Sequence, residues 1–236
     1  MTRNNIDPMI LQSDILFEDN HLIAINKKSS QIVQADKSGD VSLDKLVREY
    51  IKTGHNVEGI KNPGIIHRID RRASGVVLFA LTDEALSGMN RLFRDGEIRK
   101  IYWAITGKMP VNESGRLDHF LKKNEKLNKS FAYQEAMEGA RPSSLIYKVI
   151  ARSERYYLIE IELLTGRHHQ IRCQLASMGC PVKGDLKYGS PRSNKDGSIS
   201  LHARSVSFVH PVIKKPVLIT APVPEDNLWK VLTEGL

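Results

Sequence analysis

One carboxylate lies inside a cluster of bases. In the stretch Gly64-Ile-Ile-His-Arg-Ile-Asp-Arg-Arg-Ala-Ser-Gly75, Asp70 is surrounded by His67, Arg68, Arg71 and Arg72. Neighbouring guanidinium groups favour the ionised carboxyl, so a low pKa is expected for Asp70. A rigid carboxylate of this kind can attack an electrophilic carbon or remove a proton. It can equally be an ion-pair anchor, and the local sequence leaves both readings open, because ion-pair networks perturb pKa values without any function. Two apolar runs flank it, Ile65-Ile66 and Val76 to Leu81. Their β-branched content reads as strands, and Gly75 reads as a turn or a close approach of backbones. Asp70 is therefore expected to be fixed between core-anchored strands.

Other constellations are weaker. His168, His169, Cys173, Cys180, His202 and His210 include metal-ligand types, but C-x-x-C and H-E-x-x-H spacings are absent. No metal site is expected. Neither a Walker A nor a G-x-G-x-x-G pattern occurs, so no nucleotide cofactor is expected. A third set joins Asp70 to Arg68, Tyr102 and Arg172. On a helix, Arg172 would lie one turn from His168 and His169.

The elements that must position these residues follow from periodicity. Residues 14–26 read as two short strands turning at Asp19-Asn20, and Lys27 to Ser30 as a polar turn. Ser42 precedes a helix with Leu43, Leu46, Val47, Tyr50 and Ile51 on one face, and residues 53–64 read as a loop. Thr82 caps a second helix that stops at Gly96. Arg99 to Thr106 alternates as a strand, with Ile101, Trp103 and Ile105 on one face and Tyr102 on the other. Residues 108–142 show little pattern and read as irregular surface excursions carrying Lys122, Lys123, Lys126 and Lys129. A hairpin (144–151 and 156–164), a helix bearing Ile171, Leu175 and Met178, a loop over 181–193, strands at 201–209 and 217–220, and a last helix at 225–232 complete the chain. Strands outnumber helices and hairpin links dominate. The expected fold class is α+β, a mixed, mainly antiparallel central sheet with flanking helices. Residues 1–13 are expected to form an arm and 14–236 one folded domain.

Composition narrows the partner. The 236 residues are 41% hydrophobic and 26% charged, a globular balance with enough chain for a real core. Lys plus Arg number 35 against 27 acidic residues, a net charge of +8, which favours a polyanion and nucleic acid first. Two cysteines give no disulfide framework, the first residues lack a signal-peptide core, and no apolar run reaches about 20 residues. A cytoplasmic monomer, free of membranes, is the expectation.

Five segments in order change the weight of these readings. His67-Arg-Ile-Asp-Arg-Arg-Ala-Ser-Gly75, Lys100-Ile-Tyr-Trp-Ala104, Gly166-Arg-His-His-Gln-Ile-Arg172, Pro181-Val-Lys-Gly-Asp-Leu-Lys-Tyr-Gly189 and Leu201-His-Ala203 with Phe208-Val-His-Pro211 are all present. Together they resemble the RluA family of pseudouridine synthases, in a short form without an S4-type module, over roughly residues 14–232. Ile69, Arg71-Arg72-Ala73 and Lys214-Lys215 depart from the family pattern and bear on substrate choice. The resemblance implies a pseudouridine synthase fold with a catalytic cleft. The implied activity is isomerisation of uridine in ribosomal or transfer RNA, without a cofactor. It implies Asp70 as the catalytic residue, Arg172 as its ion-pair partner, Tyr102 beside the target base, and Arg68 filling the place vacated by an extruded nucleotide. His67, Arg71, Arg72, Lys100, Arg167 and His169 are candidate RNA contacts, with Arg91, Arg94 and the 122–129 lysines further out. A single carboxylate is enough on this reading, whereas glycoside hydrolysis needs two. The rival readings are a non-catalytic RNA-binding protein on the same fold and a hydrolase or nuclease using Asp70.

Overall fold

The computed structural model describes residues 10–54 and 62–236. Its centre is one sheet of eleven strands, ordered β1-β2-β4-β10-β5-β9-β8-β6-β7, with β3 on β4 and β11 on β10. The first strands are β1 (Ile15–Glu18), β2 (Leu22–Lys27), β3 (Gly64–Ile65), β4 (Ser74–Ala80) and β5 (Arg99–Thr106). They are followed by β6 (Ser114–Asn124), β7 (Lys129–Tyr133), β8 (Arg141–Arg152), β9 (Tyr157–Leu163), β10 (Leu201–Val209) and β11 (Pro216–Thr220). Every pairing is antiparallel except β4 with β10. The α+β class and the mainly antiparallel mixed sheet are as expected.

Helices α1 (Leu43–Gly54), α2 (Asp83–Asp95), α3 (Gln170–Ser177) and α4 (Asn227–Thr233) cover the sheet on both faces. Strand alternation assigns the layers. In β4, Val76, Leu78 and Ala80 join the core under α2 with Ala85 and Met89. Val77 and Phe79 face the other way, against Leu43, Val47 and Ile51 of α1. In β5, Ile101, Trp103 and Ile105 pack on Trp229 of α4, while Ala104 and Tyr102 face α3 through Ile171 and Leu175. Each large apolar side chain buried in these layers contributes about 1.5–3 kcal/mol. No helix of the described residues is long and apolar enough to cross a membrane.

One glycine permits a close approach of two strands. Gly75 has φ +111°, and a Cβ there would lie 2.2 Å from the carbonyl oxygen of Ala203. Only glycine lets β4 run this tightly beside β10. The loop carrying Asp70 ends at this contact.

Several expectations need correction. Residues 108–142 are not irregular: β6 pairs with both β7 and β8. Their alternation is hidden because polar His119 fills an inward position between Leu117 and Leu121, bonding Gln174 on α3. Lys27 is not part of a polar turn; it ends β2 and is fully buried. His168 and His169 are not helical, since α3 begins at Gln170. Of the expected arm, residues 1–9 lie outside the described residues. Ile10 is buried in the α1 layer, and a 3-10 turn spans Gln12–Asp14. Most of the loop expected over 53–64 also lies outside the described residues.

Candidate active site

The Asp70 loop runs from β3 to β4 and is pinned from both sides. Ile69 packs into the α1 layer, and Ala73 is buried in the α3 layer. The Ala73 N–H donates to the Asp70 carbonyl at 3.0 Å, closing a turn, and Ile199 N–H donates to the Arg72 carbonyl at 3.1 Å. The Arg71 carbonyl accepts from Ser30 N–H at 2.9 Å and from the Lys27 ammonium at 3.1 Å. Lys27 also donates to the Lys28 and Gln31 carbonyls, at 2.9 and 2.8 Å. Burial pushes its pKa down to about 7, and the charge of Asp70 works against that shift. A buried ammonium with three carbonyl partners is a strut, and it holds the backbone one residue beyond Asp70.

Arg172 reaches Asp70 from α3. Its Nη1 donates to Asp70 Oδ2 at 2.9 Å. Its other edge grips Asp185, with Nε to Oδ2 at 2.6 Å and Nη2 to Oδ1 at 2.9 Å. Burial alone would lower the pKa of this guanidinium, but hydrogen bonds and charge from Asp185 and Asp70 raise it. The Arg172 side chain is 6% exposed and that of Asp185 1%, while Asp70 keeps 25%. The arginine is thus oriented by a fork inside the protein and presents one of its three other N–H groups to the carboxylate that faces solvent.

A cleft of about 930 Å³ opens over Asp70. Tyr102 of β5 lines it, and burial, then the charge of Asp70, raise its phenol pKa, so the ring keeps its proton. Arg68, His67, Arg71, Lys100, Arg167 and His169 also line it. Arg68 is exposed and its Nη1 donates to Gln34 at 3.2 Å. Arg71 pairs with Asp40 at 2.5 Å. His67 is committed to the fold: its Nε2 accepts Leu78 N–H at 3.1 Å, and its ring stacks on Phe93 at 5.3 Å. Burial, then Lys100, push its pKa down to about 4. Lys100 is half-buried with its ammonium 5.6 Å from the Phe93 ring centroid. The Arg167 Nε donates to the Pro142 carbonyl at 3.2 Å.

Arg72 is exposed outside the cleft wall, and so is Arg91. The lysines of the 122–129 region sit on the β6–β7 hairpin, where Lys123 pairs with Glu125 at 2.7 Å. Three contributors carried no chemical signal by themselves: Lys27 looked like a turn residue, and Asp185 and Tyr188 were seen only as parts of a motif. Among the described residues, no group of three or more His, Cys, Asp or Glu could hold a metal ion.

The family model described as RNA pseudouridylate synthase matches residues 21–177, which contain Asp70, Tyr102 and Arg172. The chain is 31% identical over 240 residues to "tRNA pseudouridine synthase C" of Vibrio vulnificus, covering 94% of each chain. It is 30% identical over 238 residues to "Ribosomal large subunit pseudouridine synthase D" of Zymomonas mobilis, covering 96% of this chain and 74% of that one. The solved structure of human RNA Pseudouridylate Synthase Domain Containing 4 has the same fold, with a TM-score of 0.74 at 23% identity, covering 89% of this chain and 88% of that one. The chain belongs to the RNA pseudouridylate synthase family and is an isomerase of that kind.

Proposed function

We propose that this enzyme converts a specific uridine of transfer RNA to pseudouridine, with Asp70 as its catalytic residue. The observation that carries the reading is the Asp185–Arg172–Asp70 relay, which aims one part-exposed carboxylate into a cleft whose rim is cationic. In the reaction the N1–C1′ bond breaks, the uracil turns, and C5 bonds to C1′. The C5 proton leaves and N1 takes one up, so the composition is unchanged. Asp70 either attacks C1′ or removes a ribose proton, and Arg172 holds it charged and aimed. Tyr102, as a neutral phenol, supplies a ring face and an O–H at the base. Arg68, exposed on the cleft lining, replaces the extruded nucleotide by stacking as a planar cation. The choice of transfer RNA over ribosomal RNA rests on the relative named for transfer RNA, which is 31% identical along 94% of this chain. Action in the cytoplasm follows from such a substrate.

The test starts with RNA from cells lacking the gene, separated into transfer and ribosomal fractions and incubated with the protein. New pseudouridine is expected in the transfer RNA fraction only. New pseudouridine confined to ribosomal RNA would overturn the substrate, and none in either fraction would overturn the enzyme reading. Activity retained by Asp70→Asn would remove Asp70 from its role.

A further inference from the structure

We infer that His169, held as its Nε2–H tautomer by Tyr188, is a positioning residue that turns Oδ1 of Asp70 toward the reacting ribose. This rests on the reading of Asp70 given above. The two oxygens of that carboxylate are not equivalent. Oδ2 accepts from Arg172 at 2.9 Å. Among the described residues Oδ1 has no hydrogen bond, and its polar neighbour is His169 Nε2 at 3.8 Å. That distance is too long for a hydrogen bond. It leaves Oδ1 free to react while placing a donor beside it.

The tautomer follows from counting protons along a chain of contacts. Tyr188 Oη accepts the Ser130 N–H at 2.8 Å. The phenol holds its single proton, because burial pushes its pKa up to about 12. Its remaining polar neighbour in that direction is His169 Nδ1 at 3.1 Å, so the O–H donates there. An Nδ1 that accepts leaves the ring proton on Nε2, which faces Asp70. The ring is boxed in by His168, stacked 3.7 Å away, and by Tyr188 edge-on at 5.7 Å. It faces Arg172, His168 and Lys187 as groups that oppose a positive charge, with Asp185 favouring one. Burial, followed by those three, lowers its pKa to about 2. It therefore gives Asp70 a dipole and not a second cation.

A backbone observation points the same way independently. His169 has φ +52° at the N-cap of α3, and its side chain caps nothing. A non-glycine residue in this region costs about 1 kcal/mol or more, and glycine or asparagine would sit there with less strain. The imidazole is held in that backbone state facing the carboxylate, not the helix end.

The experiment uses RNA from cells lacking the gene, labelled with uridine tritiated at C5, so that tritium is released as C5 joins C1′. Single-turnover rate and RNA affinity are measured separately. His169→Ala is expected to lower the rate about 10-fold or more with affinity changed less than about twofold. Tyr188→Phe keeps the packed ring but removes the proton donor; it is expected to lower the rate about 3-fold or more, because the Nδ1–H and Nε2–H tautomers then compete. His169→Gln, with an amide N–H near the Nε2 position, is expected to restore part of the loss. Nitrogen NMR of the wild-type chain supplies a readout independent of any variant's folding: a protonated Nε2 and a bare Nδ1 from about pH 5 to 8. An unchanged rate in His169→Ala, a loss confined to affinity, or an Nδ1–H or titrating ring would overturn the inference. No tritium release by the wild type would instead overturn the isomerase reading and this inference with it.

Discussion

Asp185→Asn tests how the site is held. Asp185 offers Arg172 two acceptors at 2.6 and 2.9 Å, and both partners are almost fully buried. Asparagine has the same shape but only one acceptor, so its amide N–H₂ must meet an Arg172 N–H head-on in either orientation. The guanidinium keeps its charge and loses its buried counter-charge. Breaking one side of a buried pair costs about 3–5 kcal/mol, and the one hydrogen bond that survives puts this case at about 3 kcal/mol. For a chain of this size that lowers Tm by about 6–12 °C. Activity should fall as well, because Arg172 loses the fork that aims its Nη1 at Asp70. Thermal unfolding and tritium release read the two effects. A second variant separates them: replacing both Arg172 and Asp185 with apolar residues removes the unpaired charge, so stability should recover while activity stays lost. A Tm within about 2 °C of wild type in Asp185→Asn, with full activity, would refute the argument that Asp185 orients the arginine.

Gly75→Ala should destabilise the chain by about 2 kcal/mol or more, since both its φ of +111° and the Ala203 carbonyl at 2.2 Å exclude a Cβ; unfolding in urea measures it, and a neutral result would mean that β4 and β10 can separate at no cost. Buried His202, whose pKa is pushed down to about 4 chiefly by burial, binds no proton in the folded chain between about pH 6.5 and 4 although the unfolded chain does. Its contribution is present above pH 6.5 and lost as pH falls toward 4, on the order of 3 kcal/mol, so His202→Phe should flatten the acid limb of a stability–pH curve. Arg68→Ala should slow modification of folded RNA more than of an unstructured oligonucleotide carrying the same uridine, because only the former needs a filler for the vacated place; equal losses on both would argue for a plain phosphate contact. RNA affinity should fall with salt, by a slope of about −0.7 per phosphate contacted on single strands, and a flat response would count against the cationic rim.

Much of the site was legible in the sequence because its residues sit in short, ordered segments. Asp70 lies between apolar, β-branched runs that read as strands by themselves, and Tyr102 alternates with Ile101 and Trp103 along β5. The missing pieces share one cause: the partner of each is remote in sequence. Lys27 and Arg71 are 44 positions apart, and a lysine beside another lysine reads as surface until its carbonyl partners are seen. Ser130 and Tyr188 are 58 apart, on segments that had no relation before folding. His119 hid β6 because a polar residue occupied an inward position, and its partner Gln174 is 55 positions away on α3. Local pattern finds elements; polar side chains turned inward are read correctly only with the residue they meet.

The electrostatics of the cleft follow from how one arginine is divided. Asp70 and Asp185 share Arg172, and His169 and Tyr102 flank them without charge, so this cluster by itself carries one negative charge in excess, with the Lys27 ammonium behind the loop. A second cation in contact with Asp70 would bind that carboxylate and damp its reactivity. The rim, with Arg68, Arg94, Lys100 and Arg167, has the opposite sign. A polyanion is therefore drawn to the edge while its phosphates are repelled from the carboxylate within. What can come close to Asp70 is a neutral part of the chain, and in RNA those parts are the ribose and the base. On the proposed reading, discrimination against phosphate and activation of Asp70 have the same origin, a cation turned away from the solvent by Asp185 and spent only once on Asp70.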